Sequence, residues 1–482
     1  MQMNLRRIGR RWGGVLLAFT LGACATNPVT GRPQLALVSE SQEIQMGQQA
    51  AREVEQSIGL VDNQALQAYV QRIGLALASR SERPHLPWSF RVVDDATPNA
   101  FALPGGPIFV TRGLLALMDS EAELATVLGH EIGHVTARHS VTQISRAQLA
   151  QVGLVLGQIL VPQTQALGGL AESGVGLLFL KYGRDAERQA DDLGFRYALN
   201  DGYDVREMAD VFEALERATA GEQQQGKLPG WLATHPGEPE RIQAVSQRVA
   251  ALTTPVPTRQ GGPEFLNMID NLVYGENPRA GFFRGGTFYH PDLAFQITFP
   301  QGWQTQNLPQ AVVAASPRQD GIVQLTLAGS GGAQAAAQQF LSQQGVQPVQ
   351  TTRQTIAGMP AVVSYFQAQL QQGQIRGLAG FIEHAGRTYQ VLAYAPAQSF
   401  GSYDQGFQQV LGSFRRLTDP QMLGMQPNRL DVVRLPQAMT LTEFNRRNPS
   451  VVPIEELARL NQVESAGTTI PAGTMVKRVV GP

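Results

Sequence analysis

The sequence predicts an α+β protein, mostly helical in its first half and with a sheet in its second half. A helix is indicated near residue 120, where Ser120-Glu121-Ala122-Glu123 has the form of a capping box and an apolar stripe follows. A half-buried strand is indicated where apolar residues alternate with polar or small neighbours, at Leu293, Phe295, Ile297 and Phe299. Residues 253–263 between them are rich in proline, threonine and glycine, as expected of a linker.

Length and composition limit the class of protein. A chain of 482 residues is long enough for two or three hydrophobic cores, and 43% hydrophobic residues is typical of a globular protein. A net charge of -1 offers no electrostatic basis for binding nucleic acid, so no nucleic-acid partner is expected. The predicted organisation is a signal peptide, a first domain, a linker, an α+β accessory domain and a small C-terminal module, over residues 1–24, 25–252, 253–286, 287–418 and 428–482.

The first 24 residues have the composition of an export signal. Four arginines precede a short apolar run over residues 13–21, which is too short to span a bilayer. The stretch Leu21-Gly22-Ala23-Cys24 resembles a bacterial lipobox, so Cys24, the single cysteine of the chain, is predicted to be lipidated. Because residue 25 is Ala and not Asp, known sorting rules favour the outer membrane over the inner. The alternative is an ordinary cleaved signal with an incidental cysteine.

The predicted helix runs into His130-Glu131-Ile132-Gly133-His134, the HExxH pattern. At about 100° per residue, the two histidines lie one turn apart on nearly the same face, so both imidazoles can reach one metal ion. Glu131 is offset by one position and can hold a metal-bound water instead of the metal. Zinc lowers the pKa of such a water, and the carboxylate accepts its proton during attack on a carbonyl. The alternative is a solvated helix whose histidines cap or pack.

A third ligand must come from another element. The next strongly charged helix is predicted over residues 182–200, where Glu187 and Asp191 are four positions apart and share a face. One of them can bind zinc while the other orients a histidine. Spacing alone neither chooses between them nor excludes Asp185 and Asp192.

His139 is the other histidine close to the motif. It lies nine residues after His130, about 180° around a continuous helix, and is therefore expected to face away from the metal. A motif with a third histidine six residues after the second would place it at position 140, which is Ser140. His139 is therefore predicted to be structural.

Residues 27–249 resemble the prenyl-protease/HtpX-like family of gluzincin zinc metallopeptidases, in the exported lipoprotein type. Five stretches carry the resemblance: Asn27-Pro28-Val29-Thr30-Gly31-Arg32-Pro33 with a helix from Ser41, Asn99-Ala100-Phe101-Ala102-Leu103-Pro104-Gly105-Gly106, the HExxH helix continuing to Arg138-His139, Arg184-Asp185-Ala186-Glu187-Arg188-Gln189-Ala190-Asp191, and Thr234-His235-Pro236 with Arg241-Ile242. The resemblance implies a mostly helical peptidase domain with a small sheet over residues 25–252.

The resemblance also implies roles for individual residues. Glu131 would be the general base, and Asp191 would orient a ligand without binding the metal itself. One zinc ion per chain would be bound by His130, His134 and Glu187.

Two further residues are implied to act in catalysis. His235 would lie near the metal, either stabilising the tetrahedral intermediate or acting as a reversible extra ligand. The alternative is that His235 caps the turn at Pro236. Arg241 is expected to assist catalysis. The alternative is that it is a charged residue on a helix surface. Gly183 stands where many family members carry a hydroxyl residue, which affects the start of the local helix.

The glycine-proline stretch 104–107 is expected to border the cleft. The segment that follows, Ile108-Phe109-Val110, is predicted to be an edge strand that pairs with a substrate peptide by strand addition. The alternative is an internal hairpin edge with no substrate.

The second half is predicted to hold no catalytic cluster. His290 and His384 are isolated and are predicted to be structural, and Phe299-Pro300-Gln301-Gly302-Trp303 resembles the PsbP-like sheet domains. Further strands are predicted at 321–327, 361–366 and 389–393, with a helix at 334–344.

The last part of the chain is predicted to be a separate βααβ module. Strands are expected at 432–435 and 475–480, with helices at 442–447 and 454–461 between them. Leu460-Asn461, followed by Ile470-Pro471-Ala472-Gly473, resembles a LysM-like module, which implies contact with peptidoglycan. The alternative is a small packing cap.

Together these features predict a zinc metalloendopeptidase of the cell envelope, held by its lipid and facing the periplasm. Its expected substrates are unfolded or misassembled envelope proteins. The competing hypothesis is a chaperone-like or cell-wall-binding envelope lipoprotein whose zinc site is mainly structural.

Overall fold

The computed structural model describes residues 24–158, 181–219, 230–236, 239–308, 310–329, 331–370 and 373–482. The predicted export signal before Cys24 lies outside these residues. No helix in these ranges combines the length and the apolar character that crossing a membrane requires. The contacts divide the chain into two compact units. Unit 1 takes Met1–Glu55, Gly59–Tyr274 and Arg429–Val480, and unit 2 takes Gln56–Ile58, Gly275–Asn428 and Gly481–Pro482.

Unit 1 begins with a mostly helical region, as predicted. Its helices are α1 (Glu40–Ser57), α2 (Gln64–Ala78), α3 (Arg112–Leu117), α4 (Glu121–Thr136), α5 (His139–Gln158), α6 (Arg184–Asn200), α7 (Glu207–Thr219), α8 (Trp231–Thr234), α9 (Pro239–Ala251) and α10 (Gly262–Ile269). Its strands are β1 (Cys24–Thr26), β2 (Pro33–Leu35), β3 (Ser89–Val93), β4 (Ala100–Ala102), β5 (Pro107–Thr111) and β6 (Val273–Tyr274).

Helix α4, which carries the HExxH pattern, starts with the predicted capping box. The Ser120 hydroxyl accepts a hydrogen bond from the Glu123 amide at 3.0 Å, and the Glu123 carboxylate accepts one from the Ser120 amide at 3.3 Å. These two bonds satisfy amide groups that a helix start otherwise leaves unpaired. All residues of α4 are buried, so this helix lies in the core of unit 1.

A small sheet flanks α4, and here one prediction is wrong. The strand order is β3-β5-β4, so Ile108, Phe109 and Val110 lie on the middle strand and not on an edge. The backbone turns back after β4 so that β5 pairs with it antiparallel, while β3 pairs in parallel on the other side. Since β5 is hydrogen-bonded on both sides, it cannot accept a substrate peptide by strand addition.

Unit 2 is an α+β region built on two antiparallel sheets. Its strands are β7 (Phe282–Arg284), β8 (Thr287–His290), β9 (Phe295–Thr298), β10 (Gln304–Leu308), β11 (Ala311–Ala315), β12 (Ile322–Gly329), β13 (Val346–Ile356), β14 (Met359–Leu370), β15 (Gly373–His384), β16 (Arg387–Pro396) and β17 (Arg415–Arg416). Its helices are α11 (Gly332–Leu341), α12 (Phe400–Ser413) and α13 (Pro420–Leu423). Within the described residues, the sheet orders are β10-β11-β12-β16-β15-β14-β13 and β17-β9-β8-β7.

The larger sheet of unit 2 is apolar on both faces. Neighbouring residues of β15 show this, since Leu378 packs in one cluster with α12 while Ala379 packs in another with α11. Successive side chains of a strand point to opposite faces, so a helix on each face is needed to bury both sets.

The C-terminal segment contains the predicted strand, two helices and strand, with two further short strands that were not predicted. Its elements are β18 (Asn428–Arg434), β19 (Met439–Thr440), α14 (Leu441–Arg447), α15 (Ile454–Leu460), β20 (Thr469–Ile470) and β21 (Met475–Val480). β18 lies between β21 and β6 in one sheet. Leu441, Phe444 and Leu457 are fully buried in the same hydrophobic cluster as the residues of α4, so this segment shares the core of unit 1.

Candidate metal centre

Two helices bring the candidate ligands together, and small residues allow their close approach. A Cβ atom on Gly194 of α6 would lie only 2.6 Å from the His130 backbone nitrogen on α4. One turn further along, a Cβ on Gly133 would lie 3.1 Å from Ala190. Because these positions carry no bulky side chain, His130 and His134 on α4 can face Glu187 on α6 directly.

Four buried side chains converge at this crossing. The Nε2 atoms of His130 and His134 are 3.0 Å apart, and each lies 3.5 Å from a carboxylate oxygen of Glu187. Nδ1 of His235 lies 3.3 Å from His130 Nε2 and 3.2 Å from Glu187 Oε1. These four residues are 0 to 2% exposed, and their ligand atoms all lie within 4.8 Å of one another.

This donor set suits zinc. Four ligands placed tetrahedrally at zinc's usual bond lengths of about 2.0–2.1 Å are about 3.3 Å apart, which is close to the separations seen here. Imidazole nitrogens that face one another in a buried space repel unless a proton or a cation lies between them. The arrangement therefore has the composition and spacing of a site for one zinc ion.

The surroundings favour an ionised Glu187 and a neutral His134, whereas they favour a protonated His130. Burial alone would raise the pKa of Glu187, but His235, His130 and His134 outweigh it and lower this pKa. Burial lowers the pKa of His134 well below its ordinary value and keeps this ring neutral. Burial also acts to lower the pKa of His130, but hydrogen bonds to Asp191 and Glu187 prevail and raise it to about 9.

Glu131 differs from the other acids of the site. It is fully buried, and within the described residues neither carboxylate oxygen has a hydrogen-bond partner. The nitrogen Nε2 of His235 lies 3.5 Å from its Oε1. Burial raises the pKa of Glu131, so this carboxylate binds a proton more strongly than an exposed one. A buried carboxylate without a hydrogen bond calls for an explanation, and a proton-accepting role beside a metal supplies one.

Asp191 and Arg241 form the outer layer of the site. His130 donates a hydrogen bond from Nδ1 to Asp191 Oδ1 at 2.9 Å, and Arg241 donates two to the same carboxylate at 2.6 and 2.7 Å. Arg241 also lies 3.2 Å from Glu187 and over the ring of Phe212. Its side chain is buried, so the alternative that placed Arg241 on a helix surface is wrong.

The other acids of the same helix do not join the group. The Asp185 side chain is fully exposed and the Asp192 side chain more than half exposed, paired with Arg188 and Arg248 respectively. Helix α6 begins after Gly183, which acts as the N-cap without a side-chain hydrogen bond.

The prediction that His139 faces away from the metal is wrong, because this residue lies against His134. The prediction assumed that α4 continues, whereas this helix ends at Thr136 and α5 starts at His139. Nδ1 of His139 lies 2.9 Å from Nδ1 of His134, and its Nε2 lies 3.0 Å from Gln189 on α6. Burial lowers the pKa of His139 to about 4 and keeps it neutral beside the candidate ligand.

Two aromatic residues of the site were not predicted. Tyr182 stacks on the His134 ring at 4.0 Å, and Trp231 stacks on the His235 ring at 4.2 Å. Their rings restrict the orientation of the two imidazoles. The available signal was their position, since Tyr182 directly precedes the charged helix and Trp231 stands one helical turn before His235.

The comparisons with known proteins agree with this geometry. The model of peptidase family M48 matches residues 64–249, which include all the residues gathered at the site. The chain is 31% identical over 223 residues to the mitochondrial metalloendopeptidase OMA1 of Schizosaccharomyces pombe, across 46% of this chain and 65% of that protein. It is 29% identical over 245 residues to the beta-barrel assembly-enhancing protease of Escherichia coli strain K12, across 47% of this chain and 50% of that protein.

The similarity is limited to part of each protein. The chain spans about half to two thirds of the length of these two curated relatives. Among solved structures, cyanobacterial PsbP from Synechocystis sp. PCC 6803 is 13% identical with a TM-score of 0.23, over 27% of this chain and 91% of that one. Over residues 64–249, the chain is similar to the peptidases of family M48.

Proposed function

We propose that the chain is a zinc metalloendopeptidase that hydrolyses peptide bonds in unfolded or misassembled proteins of the cell envelope. One observation carries the proposal: the buried carboxylate of Glu131, which makes no hydrogen bond within the described residues, stands beside the converging side chains of His130, His134 and Glu187. The names of the relatives, a metalloendopeptidase and a beta-barrel assembly-enhancing protease, support the reaction and the envelope as the source of substrates.

Each residue has a defined task in this proposal. Zinc, when held by His130, His134 and Glu187, supplies the positive charge that polarises a peptide carbonyl and makes water acidic. Glu131 accepts the proton of the attacking water and passes it to the leaving amine. Its pKa is raised by burial, which makes it a stronger base than an exposed glutamate.

His235 and Arg241 act on different parts of the site. Nε2 of His235 lies near Glu131, where its N–H can donate to the developing oxyanion of the substrate. Arg241 contacts Asp191, which orients His130, and it also contacts the ligand Glu187. Through these contacts it positions two ligands and does not reach the reacting atoms. We therefore assign Arg241 a positioning role.

A glutamine substitution at Glu131 tests the proposal. The soluble form lacking residues 1–24 should cleave denatured casein, and Glu131→Gln should lower the rate by at least about a thousandfold while one zinc per chain is retained. Glu240→Gln is the matched control, because that side chain is largely exposed and pairs with Arg188. Equal cleavage by wild type and Glu131→Gln would reject the mechanism.

We further propose that a lipid on Cys24 holds the protein at the periplasmic face of the envelope, with the outer membrane favoured. The lipobox pattern supports this, together with the similarity to the beta-barrel assembly-enhancing protease. Mass spectrometry of the N-terminal peptide of the mature protein should find an acylated cysteine. A Cys24→Ser variant should be released into the soluble fraction, and an unmodified Cys24 in the wild type would reject the anchor.

We also propose that residues 428–482 are a LysM-like module that contacts peptidoglycan. The order of β18, α14, α15 and β21 and the antiparallel pairing of the two long strands support the resemblance. Because the segment shares the core of unit 1, the whole chain is the sample to use. The protein should sediment with purified peptidoglycan, and absence of retention would remove this part of the proposal.

A second function has one observation in its favour. His235 brings the number of converging donors to four, and four protein ligands are typical of structural zinc sites, which leave no position for substrate. In that case the protein would be a chaperone-like envelope lipoprotein. The response of cleavage to His235→Ala separates the two functions.

A further inference from the structure

The turn that follows the HExxH helix has an unusual backbone. Arg138 has a φ of 59°, in the left-handed region that non-glycine residues rarely occupy. The chain leaves α4 after Thr136 and enters α5 at His139, so the change of direction is made by two residues. Something outside the turn must stabilise Arg138 in this conformation.

The stabilising group is a carboxylate from a distant helix. Oε2 of Glu43, on α1, accepts a hydrogen bond from Arg138 Nε at 2.9 Å, and the backbone oxygen of Val38 accepts another from Arg138 Nη2 at 2.9 Å. Glu43 is 1% exposed. It also binds Arg83, whose Nη1 donates to the carbonyl oxygen of Val135 near the end of α4.

The charges of this cluster balance. Arg83 and Arg138 are both buried, and Glu43 lies between them, while the partly exposed Glu40 makes the second ion pair with Arg83. Without Glu43, two buried guanidinium groups would share a single, partly exposed carboxylate. Such a change is strongly unfavourable, since buried charges need partners.

The turn determines what lies behind His134. Because the helix breaks there, His139 returns to within 2.9 Å of His134 Nδ1 and reaches Gln189 on α6. On a continuous helix it would lie about 180° from the metal-facing side. The turn thus places His139 in contact with both the helix that carries His130 and His134 and the helix that carries Glu187.

Further contacts join the N-terminal residues 27–43 to the turn between α4 and α5. The Asn27 side chain donates to the carbonyl oxygen of Ala137 at 3.3 Å, and the Leu37 amide donates to the Ser145 hydroxyl at 2.9 Å. Residues 27–43, which follow the predicted anchor, therefore contact both sides of the turn.

We propose that Glu43 is a positioning residue for the metal centre. It holds Arg138 in the left-handed turn that places His139 against His134, and so the segment that follows Cys24 contributes to zinc affinity. This inference rests on the proposed function, in that it takes the site to bind zinc.

The test compares two carboxylates of one helix in the full mature chain. Glu43→Gln should weaken zinc binding at least about tenfold in chelator competition, and should change the visible absorption bands of the cobalt-substituted protein. Glu40→Gln is the matched control, because it also loses an ion pair with Arg83 but does not touch Arg138. It should stay within about threefold of wild type, with the same cobalt spectrum.

A second pair of variants keeps the inference testable if Glu43→Gln does not fold. Glycine accepts a positive φ without cost, whereas alanine does not. Arg138→Gly should therefore bind zinc more tightly than Arg138→Ala and keep a spectrum closer to wild type. Equal losses of zinc affinity in the two Arg138 variants would show that Glu43 does not act through the turn.

The outcomes separate the two proposals. If wild type binds zinc and cleaves casein while Glu43→Gln matches Glu40→Gln in affinity and spectrum, only the role of Glu43 fails. If Glu131→Gln cleaves as well as wild type, the proposed function fails whatever Glu43 does.

Discussion

Nδ1 of His130 lies 2.9 Å from Oδ1 of Asp191, and this contact leaves Nε2 of the same ring directed at His134 and Glu187. A carboxylate that accepts from Nδ1 fixes the tautomer in which Nε2 is free to bind a metal. Arg241 in turn holds the carboxylate with two hydrogen bonds.

Asp191→Asn should therefore lower zinc affinity by about 10 to 100-fold, since the amide no longer enforces this tautomer. Chelator competition measures the effect. Asp192→Asn is the control, because the neighbouring side chain is exposed and paired with Arg248. An unchanged dissociation constant for Asp191→Asn would show that His130 is oriented by other means.

Gly194→Ala should weaken both the fold and the zinc site. The added Cβ would overlap the backbone nitrogen of His130, which forces α4 and α6 apart. Overpacking of this kind costs about 1–3 kcal/mol, and the separation would pull Glu187 away from both histidines. Thermal unfolding and zinc affinity measure the two effects. Gly183→Ala is the control, since a Cβ there meets nothing within 4 Å, and equal behaviour of both variants would contradict the packing argument.

Zinc binding at pH 7 should release about one proton. The pKa of His130 is about 9 in the metal-free protein, so this ring is protonated at neutral pH and must lose a proton to bind zinc. The neighbouring His134 is neutral and Glu187 ionised, so neither contributes a further proton. Apparent affinity should thus rise by about tenfold per pH unit between pH 7 and 9 and then level off.

Calorimetry in two buffers with different ionisation enthalpies counts the released protons directly. An affinity that does not change between pH 7 and 9, with no proton released, would contradict the protonated state of His130.

His235→Ala should keep one zinc per chain and slow cleavage by about 100-fold, because the remaining three residues bind the ion while a donor to the oxyanion is lost. Metal analysis and casein cleavage on the same preparation give both numbers. Faster cleavage would instead identify His235 as a blocking ligand, which is the arrangement expected of a mainly structural site.

Lys477→Met should destabilise unit 1 by roughly 2–4 kcal/mol. The buried ammonium group donates to the carbonyl oxygens of Ala116 and Met118 and pairs with Asp119, next to the start of α4. The C-terminal segment is held there by these contacts. Arg446→Met is the control, as a largely exposed basic residue of the same segment. Denaturant unfolding that does not distinguish the two variants would show that the buried contacts contribute little.

Local patterns predicted the parts of the fold that depend on neighbouring residues. The capping box at Ser120 and the spacing of His130 and His134 are local, and both are found in α4. The C-terminal strand at Met475–Val480 was predicted with the same limits, because apolar residues stand at both of its ends. Glu187 and Asp191 were placed on one helix, but choosing between them required the partner helix.

The errors share a physical cause. Arg138 stands in a left-handed turn where no glycine signals a break, so the sequence predicts a helix that continues through His139. The carboxylate that stabilises this turn, Glu43, lies 95 residues earlier in the chain. Likewise, Ile108 lies on a middle strand because β3 pairs with β5 in parallel, and a parallel pairing leaves no local mark in the sequence.

Metal content of the purified chain tests the central claim most directly. The wild type should hold one zinc ion per chain, and Glu187→Ala should hold much less at equal folding, because this carboxylate completes the group formed by His130 and His134. A folded wild-type protein that contains no zinc and takes up none on addition, or a Glu187→Ala variant that binds zinc as tightly as wild type, would contradict the account.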